Sequence, residues 1–112
     1  MASRSKVTAY IAELQDAIRK LHRVKSAHID SVRVIEKSRG NTVWKGAVEV
    51  FEIFGHRNSD RAYAWTETIE DPANSKRHIT VLHAGAVNSP KAAVRTAIVE
   101  GLSDPQRFRI EP

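Results

Sequence analysis

The chain has 112 residues, no cysteine and a formal net charge of +5 at pH 7. A chain of this length forms one hydrophobic core, so we expect a single domain over residues 1–112, with short flexible ends at 1–5 and 103–112. The lack of cysteine excludes disulfides, thiolate metal ligands and cysteine nucleophiles, which is typical of a cytoplasmic protein.

Charge and hydropathy narrow the class of partner. No stretch of the sequence has the length and apolar character of a membrane span, and the first residues lack the apolar run of a signal peptide. The positive charge is uneven, because residues 1–39 contain nine Lys or Arg against four Asp or Glu. A basic first third is able to attract nucleic acid, anionic lipid or an acidic protein.

The first predicted element is an amphipathic helix that begins at Val7. Its apolar residues recur at the 3.6-residue period of a helix, and Ser3 or Ser5 is available to cap it. These apolar residues are Val7, Tyr10, Ile11, Leu14, Ile18 and Leu21. Cations gather near the end of the helix, where its dipole stabilises them, so Arg19 and Arg23 need no ligand to explain them.

The middle of the chain predicts four strands, at residues 28–37, 43–54, 62–69 and 77–84. Residues 38–41 supply the turn of a hairpin between the first two strands, because they include Gly and Asn. In the second strand, Val48 and Val50 share one face, whereas Phe51 and Ile53 occupy the other. This pattern predicts either a bulge near Val50 or burial of both faces.

A second helix is predicted over residues 90–100. Ser89 is a good N-cap because its hydroxyl accepts from an unpaired amide of the first turn. Pro90 suits the first helical position, because the backbone amide that proline lacks would have no partner within the helix there. Short loops between the strands indicate an antiparallel meander. We therefore predict an α+β fold of order α-β-β-β-β-α, in which two helices pack on one face of a four-stranded antiparallel meander.

No catalytic signature, phosphate-binding loop or metal-ligand spacing is present, so we predict no catalytic residue, no metal and no cofactor, and the sequence leans against an enzyme. His78 and His83 lie five residues apart on a strand, so they point to opposite faces and cannot share one ion. Glu49, Glu52 and Glu67 lie on neighbouring strands, where two carboxylates could act as acid and base. Cross-strand pairing with cations is the simpler interpretation.

The sequence leaves open whether Trp44, Tyr63 and Trp65 are buried or exposed. Tyr63 and Trp65 share a face with Arg61 by alternation, and rings beside a cation are able to hold single-stranded nucleic acid. Large rings on a strand usually face the core, so burial is the favoured interpretation. If the rings are exposed, a homodimer across the open sheet face is as plausible as a nucleic-acid platform.

From residue 43 onward, and together with the first helix, the order of elements is helix, three strands, helix. Gly55-His56 lies in the loop after the first of those strands, and Ser89-Pro90-Lys91 opens the last helix. This arrangement resembles the double-stranded-RNA-binding domain. In that family the first helix, a loop with a histidine and the start of the second helix contact successive grooves of A-form RNA. The resemblance implies contacts by outward residues of the first helix and by His56, Arg57, Lys91 and Arg95.

The sequence as a whole predicts a small, basic, non-enzymatic module that binds nucleic acid. The alternative is a protein-interaction or homodimerisation domain that uses the open sheet face. A small-ligand binder or enzyme, with a pocket between the helices and the strands, is a lesser alternative, and no membrane partner is expected. The candidate binding residues are Arg19, Arg23, His56, Arg57, Arg61, Tyr63, Trp65, Lys91 and Arg95.

Overall fold

The computed structural model describes the backbone of residues 2–69 and 75–101 and the side chains of residues 7–67 and 76–101. Its elements are, in chain order, α1 (Ala2–His22), β1 (Lys25–Ser38), β2 (Asn41–Phe54), β3 (Arg61–Ile69), β4 (Ser75–Leu82) and α2 (Pro90–Val99). The four strands form one antiparallel sheet in the order β1-β2-β3-β4. The predicted α+β class and the predicted order α-β-β-β-β-α are therefore confirmed.

The two helices lie on opposite faces of the sheet. Leu14 and Ile18 of α1 pack in one buried cluster with Ala62 and Ala64 of β3. The neighbouring Tyr63 packs in a second cluster, which contains the buried residues of α2. Successive residues of a strand point to opposite faces, so each cluster marks one face, and we name these the α1 face and the α2 face. The prediction that both helices pack on one face is wrong.

The physical reason is that the central strands are apolar on both sides. Val48 and Val50 of β2 belong to the α2 face, whereas Phe51 and Ile53 belong to the α1 face. Apolar surface left in water costs about 25 cal/mol per Å². A helix on each side is therefore more stable than two helices on one side, and the predicted burial of both faces of β2 is confirmed.

The β1–β2 hairpin turns through two residues. Arg39 and Gly40 have φ angles of 53° and 81°, the pair of positive values found in a type I′ turn, so the turn predicted from the sequence is confirmed. Ile29 of β1 and Val43 of β2 have no partner in the cross-strand register. The irregularity at Ile29 faces Val50 and Phe51, so the bulge expected near Val50 is present there but lies on β1 and not within β2.

The hairpin separates from β3, the strand beside it, although β3 continues to Ile69. β2 pairs with β3 over four residues only, those at 49–52. Within the described sheet, residues 32–38 and 41–48 pair only with each other. This half of the hairpin is a two-stranded ribbon with a backbone ladder of its own.

The first helix begins earlier than predicted. It starts at Ala2, so Ser3 and Ser5 lie inside the helix and not before it, and the backbone of residues 2–5 is helical. The predicted turn at residues 70–74 and the predicted tail at 103–112 lie outside the described residues.

The start of the second helix agrees with the sequence. Ser89 has an extended backbone, its Oγ accepts from the amide of Ala92 at 3.1 Å, and Pro90 is the first helical residue. A side-chain acceptor at this position satisfies one of the amides that a helix leaves unpaired, which explains why α2 begins here.

Candidate functional site

The three aromatic rings whose exposure the sequence left open lie in the core. Tyr63 and Trp65 are each 1% exposed and Trp44 is 4% exposed, all on the α2 face of the sheet. The favoured interpretation, burial, is therefore confirmed. Tyr63 and Trp65 are therefore not free to stack on a nucleic-acid base. As a correction to the sequence prediction, they are not candidate binding residues.

The polar ends of these rings have partners inside the protein. Nε1 of Trp65 and Nε1 of Trp44 both donate to Oε2 of Glu67, at 2.9 Å and 3.2 Å. The two indole rings meet edge to face, with 5.6 Å between their centroids. The hydroxyl of Tyr63 lies 2.6 Å from Nδ1 of His83, and burial raises the pKa of Tyr63. These contacts are structural, because they tie β2, β3 and the chain after β4 to one another.

Most of the remaining candidate residues come together at one end of the sheet, which we name the loop end. It comprises the end of α1, the loop between β2 and β3, and the first turn of α2. The amide of His83 donates to the carbonyl of Arg61 at 2.9 Å, and Arg61 and Pro90 line one cavity, so the β2–β3 loop and the start of α2 are neighbours. α1 ends just before Lys25, which pairs with Phe54 beside that loop, so the end of α1 lies at the same end of the sheet. The candidate residues at the loop end are Arg19, Arg23, His56, Arg57, Arg61 and Lys91.

Acidic residues accompany the cations of the loop end. Asp16 forms ion pairs with Arg19 and Lys20, and its hydrogen bonds, first to Lys20 and then to Arg19, lower the pKa of its carboxyl. Glu52 lies opposite Arg61 in the β2–β3 register. Charges of both signs in one place weaken the potential that a polyanion would meet there.

Arg95 lies farther along α2 and is engaged within the protein. Its Nε donates to Oε1 of Glu36 at 2.8 Å, although its side chain remains 61% exposed. This ion pair ties α2 to the β1–β2 hairpin. Lys91, one helical turn earlier, is exposed and makes no ion pair with the described residues.

A second basic surface lies on the β1–β2 hairpin, and it was not among the sites predicted from the sequence. It is the α1 face of the hairpin beyond the residues that pair with β3, and we name it the hairpin face. Its exposed residues are Arg33, Ile35 and Lys37 of β1 and Lys45 and Ala47 of β2. Arg33 pairs with Ala47 and Ile35 pairs with Lys45, so these side chains form one continuous surface.

The packing of the hairpin fixes which side is exposed. Val34, Trp44 and Val48 are buried in the cluster that contains α2, so the residues that alternate with them point away from α2. The buried residues of α1, Leu14 and Ile18, lie over the other half of the sheet. The residues of the hairpin face are all exposed, so no described side chain of either helix covers it.

The charge of the hairpin face is of one sign. Arg33, Lys37 and Lys45 make no ion pair with the described residues, and no Asp or Glu stands among them on this face. The loop end, by contrast, mixes cations with carboxylates. The hairpin face is therefore the better candidate for binding a polyanion.

The carboxylate of Glu49 borders the hairpin face and is buried. Its Oε1 lies 2.9 Å from Nε2 of His28, and its Oε2 accepts from the hydroxyl of Ser31 at 3.0 Å. His28 and Ser31 both contact the carboxylate and not each other, which is not the geometry of a catalytic triad. Glu67 belongs to the α2 face and Glu52 to the loop end, so Glu49 has neither as a partner for acid–base chemistry.

The sequence does carry a signal for the hairpin face. Arg33, Ile35 and Lys37 alternate with Val32 and Val34, which predicts a strand with one basic side and one apolar side. The charge of residues 1–39 as a whole does not distinguish cations on the first helix from cations on this strand, so it does not locate the hairpin face.

Comparisons with known protein families, with curated proteins and with solved structures find no match to this chain. The resemblance to the double-stranded-RNA-binding domain therefore stays a prediction. Neither helix, over its described residues, is both long and apolar enough to cross a membrane. Among the described side chains, no group of three or more His, Cys, Asp or Glu residues is placed to hold a metal ion.

Proposed function

We propose that this protein is a nucleic-acid-binding module and that the hairpin face is its binding surface. One observation carries the proposal: Arg33, Lys37 and Lys45 stand on one exposed face with no carboxylate among them. The phosphates of a nucleic acid suit such a surface, since Lys and Arg side chains that reach them release condensed counterions into solution.

The charge count sets the strength of the expected salt dependence. For three phosphate contacts, the logarithm of the binding constant should fall with the logarithm of salt concentration with a slope of about −2.7 for a duplex. This slope corresponds to a loss of about 40-fold in affinity between about 50 mM and about 200 mM salt. A protein without phosphate contacts would show almost no such dependence.

The experiment is a salt titration of binding to labelled DNA and RNA, followed by fluorescence anisotropy. The double variant Arg33→Ala, Lys45→Ala removes two cations of the hairpin face, and Arg57→Ala, Lys91→Ala is the matched control. Both pairs remove one Arg and one Lys from exposed positions. We expect the hairpin variant to lose about tenfold in affinity at about 50 mM salt, and the control to lose less than about threefold.

Two results would contradict the proposal. The first is the absence of binding to any nucleic acid at low salt. The second is a larger loss of affinity in the control variant than in the hairpin variant. That result would show that the binding surface is at the loop end. The same comparison tests the contacts of Arg57 and Lys91 that the family resemblance implies.

The alternative of self-association through an open sheet face has no comparable support. The uncovered part of the sheet is cationic, so two copies placed face to face would bring like charges together. Among the described residues, the exposed large apolar side chains are spread over four different elements. They are Val7 and Leu21 of α1, Ile29 and Ile35 of β1, Phe54 of β2 and Val99 of α2.

A further inference from the structure

We infer that the nucleic acid bound by the hairpin face is double-stranded DNA, and that the β1–β2 hairpin enters its major groove. This inference rests on the proposed function and adds the class of nucleic acid and the mode of contact. Three features of the hairpin support it: its shape, the chemistry of its exposed side and the way α2 holds it.

The hairpin has a shape that the major groove accepts. Residues 32–38 and 41–48 form a two-stranded ribbon that has no backbone pairing with β3, with α2 packed on its back. Paired strands lie about 4.8 Å apart, so a ribbon with its side chains is about as wide as the ~12 Å major groove of B-form DNA. The major groove of A-form RNA is deep and narrow, and side chains cannot read it.

The chemistry of the hairpin face favours a duplex over a single strand. Its described side chains include no aromatic ring, whereas proteins hold single strands by stacking bases on aromatic side chains. Ile35, 47% exposed, and Ala47 form an apolar centre, and cations flank it. In a major groove the cations would reach phosphates, and Ile35 would contact the 5-methyl groups of thymine.

The tip of the ribbon adds a further cation at some cost to the backbone. Arg39 is exposed and has a φ of 53°, a conformation that is normally taken by Gly, Asn or Asp in this type of turn. Arg39 follows Lys37 by two residues in the chain, so the tip of the ribbon carries a cation as well.

The second helix holds the ribbon in place before any ligand binds. Val94 and Ala97 of α2 belong to the same buried cluster as Val34 of β1, and Arg95 donates to Glu36 of β1. A surface that is already ordered loses less conformational entropy on binding. The ribbon is therefore suited to enter a groove as a rigid body.

The test measures the affinity of the full chain for four ligands at about 50 mM salt, a concentration at which phosphate contacts are strong. The ligands are a DNA duplex rich in A·T pairs, the same duplex with uracil in place of thymine, an RNA duplex of the same sequence and one DNA strand alone. We expect the thymine duplex to bind most tightly. Uracil should weaken binding about fourfold for each thymine methyl group that the protein touches, and the RNA duplex and the single strand should bind about tenfold or more weakly.

Two single variants separate groove contacts from phosphate contacts. Ile35→Ser should weaken binding to the thymine duplex, abolish the difference between thymine and uracil, and leave the salt slope unchanged. Arg33→Ala should make the slope of the logarithm of the binding constant against the logarithm of salt concentration shallower by about 0.9. It should preserve the difference in affinity between the thymine and uracil duplexes. Both positions are exposed, and circular dichroism with thermal unfolding verifies that the variants fold.

The possible failures are distinguishable. Equal affinity for duplex DNA and either the RNA duplex or the single strand would overturn this inference and leave the proposed function standing. The same holds for equal affinity for the thymine and uracil duplexes. Absence of binding to all four ligands would overturn the proposed function itself.

Discussion

At the scale of single residues, Glu67 joins the two halves of the sheet. Its Oε2 accepts from the indoles of both Trp44 and Trp65, and the residue is 6% exposed. A buried donor that loses its acceptor costs about 1–3 kcal/mol. We therefore expect Glu67→Ala to lower the free energy of unfolding by about 3 kcal/mol or more, and Glu67→Gln, which keeps an acceptor oxygen, by about 1 kcal/mol.

Urea unfolding measures both values, and Glu52→Ala is the control. Glu52 is an exposed glutamate on β2, so its removal should change the free energy of unfolding by less than about 0.5 kcal/mol. If Glu67→Ala is no more damaging than Glu52→Ala, the two indoles do not depend on the carboxylate.

His22 is expected to make stability depend on pH. Its Nε2 lies 2.7 Å from the hydroxyl of Thr80, and burial, followed by the nearby His56, lowers the pKa of His22 below its ordinary value of 6.5. At pH values between the lowered pKa and 6.5, His22 binds more protons in the unfolded chain than in the folded protein. The contribution of His22 is therefore fully present above pH 6.5 and is lost as the pH falls through the lowered value.

A variant isolates this effect from the other histidines. Gln at position 22 can still bond to Thr80 but does not titrate. The drop in the free energy of unfolding between about pH 7.5 and about pH 5.5 should be smaller in His22→Gln than in the unaltered protein. An identical drop in both proteins would show that His22 is not responsible.

At the scale of the elements, the sequence predicts those features that depend on a few adjacent residues. The cap at Ser89 and the turn through Arg39 and Gly40 were found because hydroxyl capping and positive φ are local properties. The face that each helix covers could not be found in this way. Val50 and Phe51 point to opposite sides of β2 and are both apolar, so the sequence allows either helix to pack on either side. Only the packing of the whole protein determines which helix covers which side.

The packing of the hairpin gives a prediction for Gly46. A Cβ atom at Gly46 would lie 3.1 Å from Cη2 of Trp44, closer than an ordinary contact. The indole cannot move aside freely, because Glu67 and Trp65 hold it. We expect Gly46→Ala to lower the free energy of unfolding by about 1–3 kcal/mol, despite the usual gain from replacing a glycine in a strand.

The control is the same change in a protein whose Trp44 is already replaced by Phe. The smaller ring leaves room for the methyl group, so Gly46→Ala should cost less in the Trp44→Phe background. Equal costs in the two backgrounds, measured by urea unfolding, would exclude the contact with the indole as the cause.

At the scale of the whole molecule, net charge indicates a class of partner but not a location. The excess of +5 is compatible with a basic patch on either helix, at the loop end or on the sheet. The hairpin face emerges only when the register brings Lys45 of β2 beside Arg33 and Lys37 of β1 and the packing of α2 turns all three outward. The loop-end cations were easier to find from the sequence, yet they are interspersed with carboxylates.

The binding surface itself can be located by amide chemical-shift mapping of the isotopically labelled protein during titration with the A·T-rich DNA duplex at low salt. If the hairpin face binds the duplex, the largest changes occur at residues 31–37 and 43–47, with smaller changes at 55–61 and in the first turn of α2. Changes centred on the loop end, with residues 31–37 and 43–47 unaffected, would contradict binding by the hairpin face.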